Sequence, residues 1–128
     1  MAPIVWNTRK QNTAESSTFG SKFGALKTGV ETLRGLKYKL RMMGVPLDGP
    51  IYGFGDNMSV VNNSTQPEST LKKKCNSIAY HAVRESVASG EVIIAHEPGL
   101  TNVADLLTKP IPGGQHCSEL VVSVLYDI

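Results

Sequence analysis

Apolar positions along the chain change period several times, and those changes divide it into elements. Phe19, Phe23, Leu26, Val30, Leu33, Leu36, Leu40 and Met43 recur at spacings of three and four. That spacing predicts an amphipathic helix of roughly 20 residues, one face of which is buried. Ser16-Ser17-Thr18 stand before it as N-cap residues, and Gly44 is placed to end it. Gly24, Gly29 and Gly35 lie inside the same run. Each costs up to about 1 kcal/mol relative to alanine in a helix interior. Close packing against a sheet accounts for one such glycine; three imply relaxed selection on the helix.

Beyond this helix the period shortens. After the turn Asp48-Gly49-Pro50, Ile51-Tyr52-Gly53-Phe54-Gly55 predicts a short buried strand that ends on Asp56 and Asn57. Asn57 to Val61 predicts a short helix, ending in Asn62-Asn63-Ser64-Thr65. Ser69 or Thr70 caps a further helix whose face is Leu71, Ile78, Ala82, Val83 and Val87, with Gly90 as its stop. Glu91 to His96 is rich in β-branched residues and predicts a second strand. Pro98-Gly99 turns the chain, and Thr101 or Asn102 caps a short helix through Leu107. Pro110 to Gly114 is a linker. Ser118 to Tyr126 is apolar enough to dock, but its pattern fits helix and strand equally. At the other end, Pro3 to Trp6 predicts a strand with Trp6 in the core, and Thr8 to Thr13 a polar loop. There is no internal repeat.

The order is strand, long helix, strand, helices, strand, helix. Two strands joined by a helical crossover run parallel, with a right-handed connection. The expected class is therefore α/β.

A chain of 128 residues with 41% hydrophobic content fits one modest globular core. No apolar run approaches the length that spans a bilayer. The N-terminus lacks a basic segment followed by an apolar one, so no signal peptide is expected. Cys75 and Cys117 are most simply reduced thiols, which points to an intracellular chain, cytoplasmic or nuclear. Charge is uneven. Residues 1–44 hold eight Lys or Arg against Glu15 and Glu31, whereas residues 45–128 hold five basic against nine acidic side chains. A basic first third is an electrostatic face suited to a polyanion, or simply a solvated helix surface.

Candidate chemistry centres on Asp56. A carboxylate where a strand stops lies at the open end of the sheet, where α/β proteins place ligand sites. Asp105 lies three residues after Asn102, at the start of a short helix. His81 sits on a helix as a packing residue. His96 follows a strand and is placed to assist proton transfer, with no motif around it. His116 and Cys117 have no second pair for zinc. Lys72-Lys73-Lys74 is equally a phosphate contact and a solvated run.

Several segments in order resemble the RNase H domain at the C-terminal end of copia-type retrotransposon polyproteins. Ser16-Ser17-Thr18, followed by Phe23 and Ala25, resembles that family's serine-threonine motif leading into its first helix. Phe54-Gly55-Asp56-Asn57 resembles its Cys-Asp-Asn strand end, with glycine in place of cysteine. Lys73 to His81 and then Arg84-Glu85 resemble its Lys-His, Tyr-His and Arg-Glu helix. Asn102-Val103-Ala104-Asp105-Leu106-Leu107-Thr108-Lys109-Pro110 resembles its Ala-Asp-x-Leu-Thr-Lys-Pro motif. The likeness runs from about Pro3 to Gly113. It implies a truncated RNase H-like domain over residues 1–113, with 114–128 as a C-terminal tail.

What the resemblance implies follows from the family's chemistry. The family hydrolyses the RNA strand of RNA–DNA hybrids with two magnesium ions about 4 Å apart. Four carboxylates hold them. Asp56 and Asp105 match two of these and are the implied metal ligands. A third falls on Lys22, where the family has glutamate. The carboxylate of the family's first strand has no counterpart, because this chain starts at what resembles the third strand. Ser17, Thr18 and Asn57 are the implied substrate contacts. The implied fold is RNase H-like, with a reduced sheet lacking the first two strands and helices packed on it. The implied partners are an RNA–DNA hybrid or other nucleic acid, and the rest of a polyprotein or a second chain that completes the sheet; no membrane is implied. An ammonium at residue 22 beside two cations costs on the order of 4 kcal/mol per unit charge at an effective dielectric near 20. The expectation is therefore a ribonuclease H impaired in this chain. The alternatives are a non-catalytic nucleic-acid-binding remnant and an unstable fragment. Two further expectations are that the Lys22 ammonium lies within reach of Asp56 or Asp105, and that the Pro3 strand pairs with the Ile51 strand in a three-stranded parallel sheet.

Overall fold

The computed structural model describes residues 3–8, 10–11, 18–66, 77–108 and 110–124. Two compact units emerge, Thr13–His96 on one hand and Met1–Asn12 with Glu97–Ile128 on the other.

The larger unit opens with α1, Thr18–Met42, as the period of three and four predicts. Its end is built by Gly44 at φ +86°. The Gly44 N–H donates to Arg41 O and the Val45 N–H donates to Leu40 O, both at 3.0 Å. These are the two hydrogen bonds of a Schellman cap, which needs the left-handed backbone glycine tolerates best. The interior glycines Gly29 and Gly35 have nothing within 4 Å of where a Cβ would stand. Close packing does not explain either of them.

Strand β1, Ile51–Gly55, follows. Helix α2, Met58–Thr65, is longer than its sequence pattern predicts. Along the run Asn62–Thr65 the polar side chains bond back to helical carbonyls. Asn63 Nδ2 donates to Ser59 O, and the Ser64 and Thr65 hydroxyls donate to Val61 O, each at 2.8 Å. Arg84, from α3, then donates to the carbonyls of Asn63 and Gln66 at the C-terminal end of α2. Helix α3 spans Ser77–Ala88. The expected caps Ser69 and Thr70, and Lys72-Lys73-Lys74, lie outside the described residues. Gly90, at φ +74°, closes α3 as expected. Strand β2, Val92–His96, completes the unit.

β1 and β2 run parallel, with Ile51 opposite Val92 and Gly55 opposite His96. Helices cover one face of this sheet. Phe23, Val60, Tyr80 and Val83 form a buried cluster between α1, α2 and α3, and Val30, Val61, Val92 and Ile94 form a second one against the sheet. Gly53 belongs to this arrangement, since a Cβ there would stand 2.9 Å from Ile94 Cδ1. The class is mixed α/β, with helices packed on a small sheet.

Among the described residues the sheet has two strands, not three. Residues 3–8 carry no strand, and Ile4, Val5 and Trp6 are exposed. The expected pairing of Pro3–Trp6 with Ile51, and Trp6 as a core residue, are both corrected. A four-residue apolar run has no internal ladder. It becomes a strand only when a neighbour takes its backbone groups, and Pro3 has no N–H to offer.

In the smaller unit, α4 covers Asp105–Thr108 and α5 covers Gln115–Val124. The tail whose pattern left helix and strand open is thus helical as far as it is described, to Val124, starting after the Gly113-Gly114 linker. The Ser118 N–H donates to Gly114 O in its first turn. No described helix is long and apolar enough to cross a membrane.

Candidate functional site

Three of the residues singled out by sequence meet at the C-terminal end of β1. Asp56 is the first residue past the strand. Asn57 follows in extended backbone, φ −104° and ψ 105°, and caps α2 by accepting a hydrogen bond from the Val60 N–H at 3.1 Å. A strand end feeding a capped helix aims Asp56 at the open end of the sheet, the usual place for a ligand site in α/β folds. The third residue is Lys22, from the first turns of α1. Its neighbour Phe23 is fully buried in the helix cluster, which holds α1 against α2 and α3.

Lys22 Nζ donates to Asp56 Oδ1 at 2.8 Å. The two side chains are 38% and 22% exposed. The ammonium therefore lies within reach of Asp56, on the carboxylate that the resemblance implies as a metal ligand. Thr18 stands four residues before Lys22 on the same side of α1 and is exposed. Ser17 lies outside the described residues.

Asp105 belongs to the smaller unit. It is the first residue of α4, its N–H donates to Asn102 O at 3.1 Å, and Asn102 Oδ1 accepts from the Ala104 N–H. Asn102 thus forms a turn three residues ahead of the first residue of α4. His81 is exposed, more so than the half-buried position expected of it, with its ring edge-on to Tyr80. His96 ends β2 and is exposed, opposite Gly55.

The donor set at Asp56 does not fit a pair of divalent ions. Such ions need several carboxylate oxygens. One Asp56 oxygen is engaged by an ammonium, and among the described residues no three His, Cys, Asp or Glu come together as a ligand group. An ammonium also repels each cation that approaches.

Sequence patterns gave no hint of one polar network in the larger unit. Arg34 on α1 reaches Glu91, 57 residues away, in a two-pronged ion pair, Nε to Oε1 at 2.9 Å and Nη2 to Oε2 at 2.8 Å. Arg34 Nη2 also donates to the hydroxyl of Ser86, a buried residue of α3, and that hydroxyl donates in turn to Ala82 O. The hydrogen bond that Arg34 donates to the Glu91 carboxylate raises the Arg34 pKa above its ordinary value. Only the charges of Arg34 and Glu91 were visible beforehand; their meeting depends on how α1 crosses the start of β2.

Two curated relatives place this geometry in context. The chain is 26% identical over 109 residues, 85% of its length, to the retrovirus-related Pol polyprotein from transposon RE2 of Arabidopsis thaliana. It is 26% identical over the same length to the corresponding polyprotein from transposon RE1 of the same plant. The matched part is 8% of the first relative and 7% of the second. No family model matches the chain, and no solved structure does. The likeness supports an origin in a retrotransposon polyprotein.

Proposed function

We propose that this chain derives from the RNase H portion of a copia-type retrotransposon polyprotein and that its site is catalytically silent. The observation that carries this reading is the Lys22–Asp56 ion pair at 2.8 Å. Asp56 stands at the strand end where the resemblance implies a magnesium ligand, and Lys22 stands where it implies a glutamate. Two-metal hydrolysis needs one ion to activate water and another to hold the leaving oxygen. A side chain that both occupies the ligand and carries positive charge works against both ions.

A second reading, nucleic-acid binding without cleavage, draws on the end of α1. Lys39 and Arg41 lie in its last turn and are exposed beside the exposed Tyr38. Two cations flanking an aromatic ring suit a phosphate backbone and a stacked base. The test uses the full chain and a labelled RNA–DNA hybrid, with magnesium and then manganese. The expected outcome is intact hybrid, with binding that weakens as salt rises. Metal-dependent cleavage lost in Asp56→Asn would overturn the silent-site reading. Absence of salt-sensitive binding would remove the second reading and leave the first.

A further inference from the structure

The Ile51 N–H donates to Glu91 O at 2.9 Å, on the edge that β1 shares with β2. In a parallel pair each residue turns its N–H and C=O to the same side, and the side alternates along the strand. Ile51, Gly53 and Gly55 therefore face β2, while Tyr52 and Phe54 turn their backbone groups outward. The described sheet has no third strand to take them. The side chains of these same two residues stand on the face without helices, each 62% exposed. Within β1 itself no charged residue and no proline blunts this edge; Pro50 and Asp56 stand only at its two ends. The outer edge of β2 differs. Its outward strand residues are Val92 and Ile94, whose side chains are buried, and His96, which is exposed.

We propose that β1 pairs antiparallel with β1 of a second copy, about a twofold axis through Gly53. The occupant follows from register. With Gly53 opposite its own copy, Tyr52 lies opposite the second copy's Phe54, and Phe54 opposite its Tyr52. In an antiparallel ladder, residues whose backbone groups face the partner exchange both hydrogen bonds with the residue opposite. Both pairs are of that kind, so four hydrogen bonds satisfy every outward group of the two strands. Gly53 meets Gly53 at the close, non-bonded spacing, with no side chains to collide. On the face without helices, each Tyr52 ring stands beside a Phe54 ring as a cross-strand aromatic pair. Charge at the ends is compatible. The register puts Asp56 near the second copy's Pro50, and the Asp56 charge is already matched by its own Lys22 at 2.8 Å. The contact is isologous, so it closes at two copies.

The surface involved is small. Two aromatic side chains per copy, with Ile93 beside them, fall below the size of a standard stable interface. Dimerisation is therefore concentration-dependent, with Kd above about 1 µM. The test is sedimentation equilibrium of the full chain from roughly 5 to 500 µM, paired with amide hydrogen exchange by NMR at both ends of that range. The expected result is a monomer–dimer equilibrium in which the Tyr52 and Phe54 amides become protected as concentration rises. Phe54→Lys and Tyr52→Lys should each raise Kd at least tenfold, because a charge then faces an aromatic edge. Ile78→Lys, on the exposed side of α3, should leave it unchanged. A chain that stays monomeric overturns the proposal. So does a dimer whose Tyr52 and Phe54 amides exchange as fast as in the monomer. The exchange measurement uses the parent chain and so stands even if a lysine variant fails to fold.

Discussion

Lys22→Glu is the change that most directly tests how the Asp56 site works. In the parent, Lys22 Nζ lies 2.8 Å from Asp56 Oδ1, and both side chains are partly exposed. Water screens such a pair, so its contribution is no more than about 1 kcal/mol. Glutamate removes that attraction and places a second carboxylate beside the first, a repulsion of similar size. Without divalent metal the variant should lose about 1–2 kcal/mol. For a unit of this size each kcal/mol moves Tm by about 4–8 °C, so melting should fall by roughly 5–15 °C. Magnesium or manganese should then restore part of the loss, because two neighbouring carboxylates offer what one occupied carboxylate does not. Metal at ten times its Kd stabilises by about 1.4 kcal/mol through binding to the folded chain alone. The assay is calorimetric melting of the parent, Lys22→Glu and Lys22→Met over a series of metal concentrations. The parent should respond little, Lys22→Met should lose the ion pair without gaining a metal response, and only Lys22→Glu should show a rising Tm. A parent that gains as much from magnesium as Lys22→Glu would refute the reasoning, and so would a glutamate variant that melts no lower than the parent in chelator.

Other substitutions probe the frame around the site. Gly29→Ala and Gly35→Ala should each raise stability by about 0.5–1 kcal/mol in urea titrations, since both lie inside α1 with open space where the Cβ would go; a loss would mean that contacts unseen in the fold need those glycines. Arg34→Ala should cost about 1 kcal/mol in the same titrations, by removing a partly exposed two-pronged pair with Glu91 and one of the two partners of the buried Ser86 hydroxyl. Arg34→Lys should recover little of that, because an ammonium cannot reproduce the two-pronged geometry. Gly53→Ala should destabilise by about 1–3 kcal/mol, because its Cβ would stand 2.9 Å from the buried Ile94 side chain; an unchanged denaturation midpoint would show that Ile94 moves aside freely.

Local pattern determined most of the elements. α1 and its stop at Gly44, the strands beginning at Ile51 and near Val92, and the stop at Gly90 all rest on periodicity or on a backbone conformation that one residue type prefers. The α/β class followed from the order of those elements. Asp56 at a strand end and a short helix starting near Asn57 were legible for the same reason, since each depends on residues no more than a few positions away; that Asn57 caps the helix is a finding of the structure. The significance of Lys22 came from resemblance alone; its periodicity and charge fit any exposed helix residue.

Tertiary structure decided the rest. α2 runs on through Asn62–Thr65 because Arg84, 21 residues beyond Asn63, supplies the donor its end requires. Lys22 meets Asp56 across 34 residues, and Arg34 meets Glu91 across 57. Pro3–Trp6 forms no strand although its composition allows one. In each case the deciding partner is distant along the chain. A helix satisfies its own backbone within one turn, so its sequence nearly suffices to specify it. A strand edge, a helix end or an ion pair is satisfied only by what folding brings alongside it, and nothing in the local sequence names that partner.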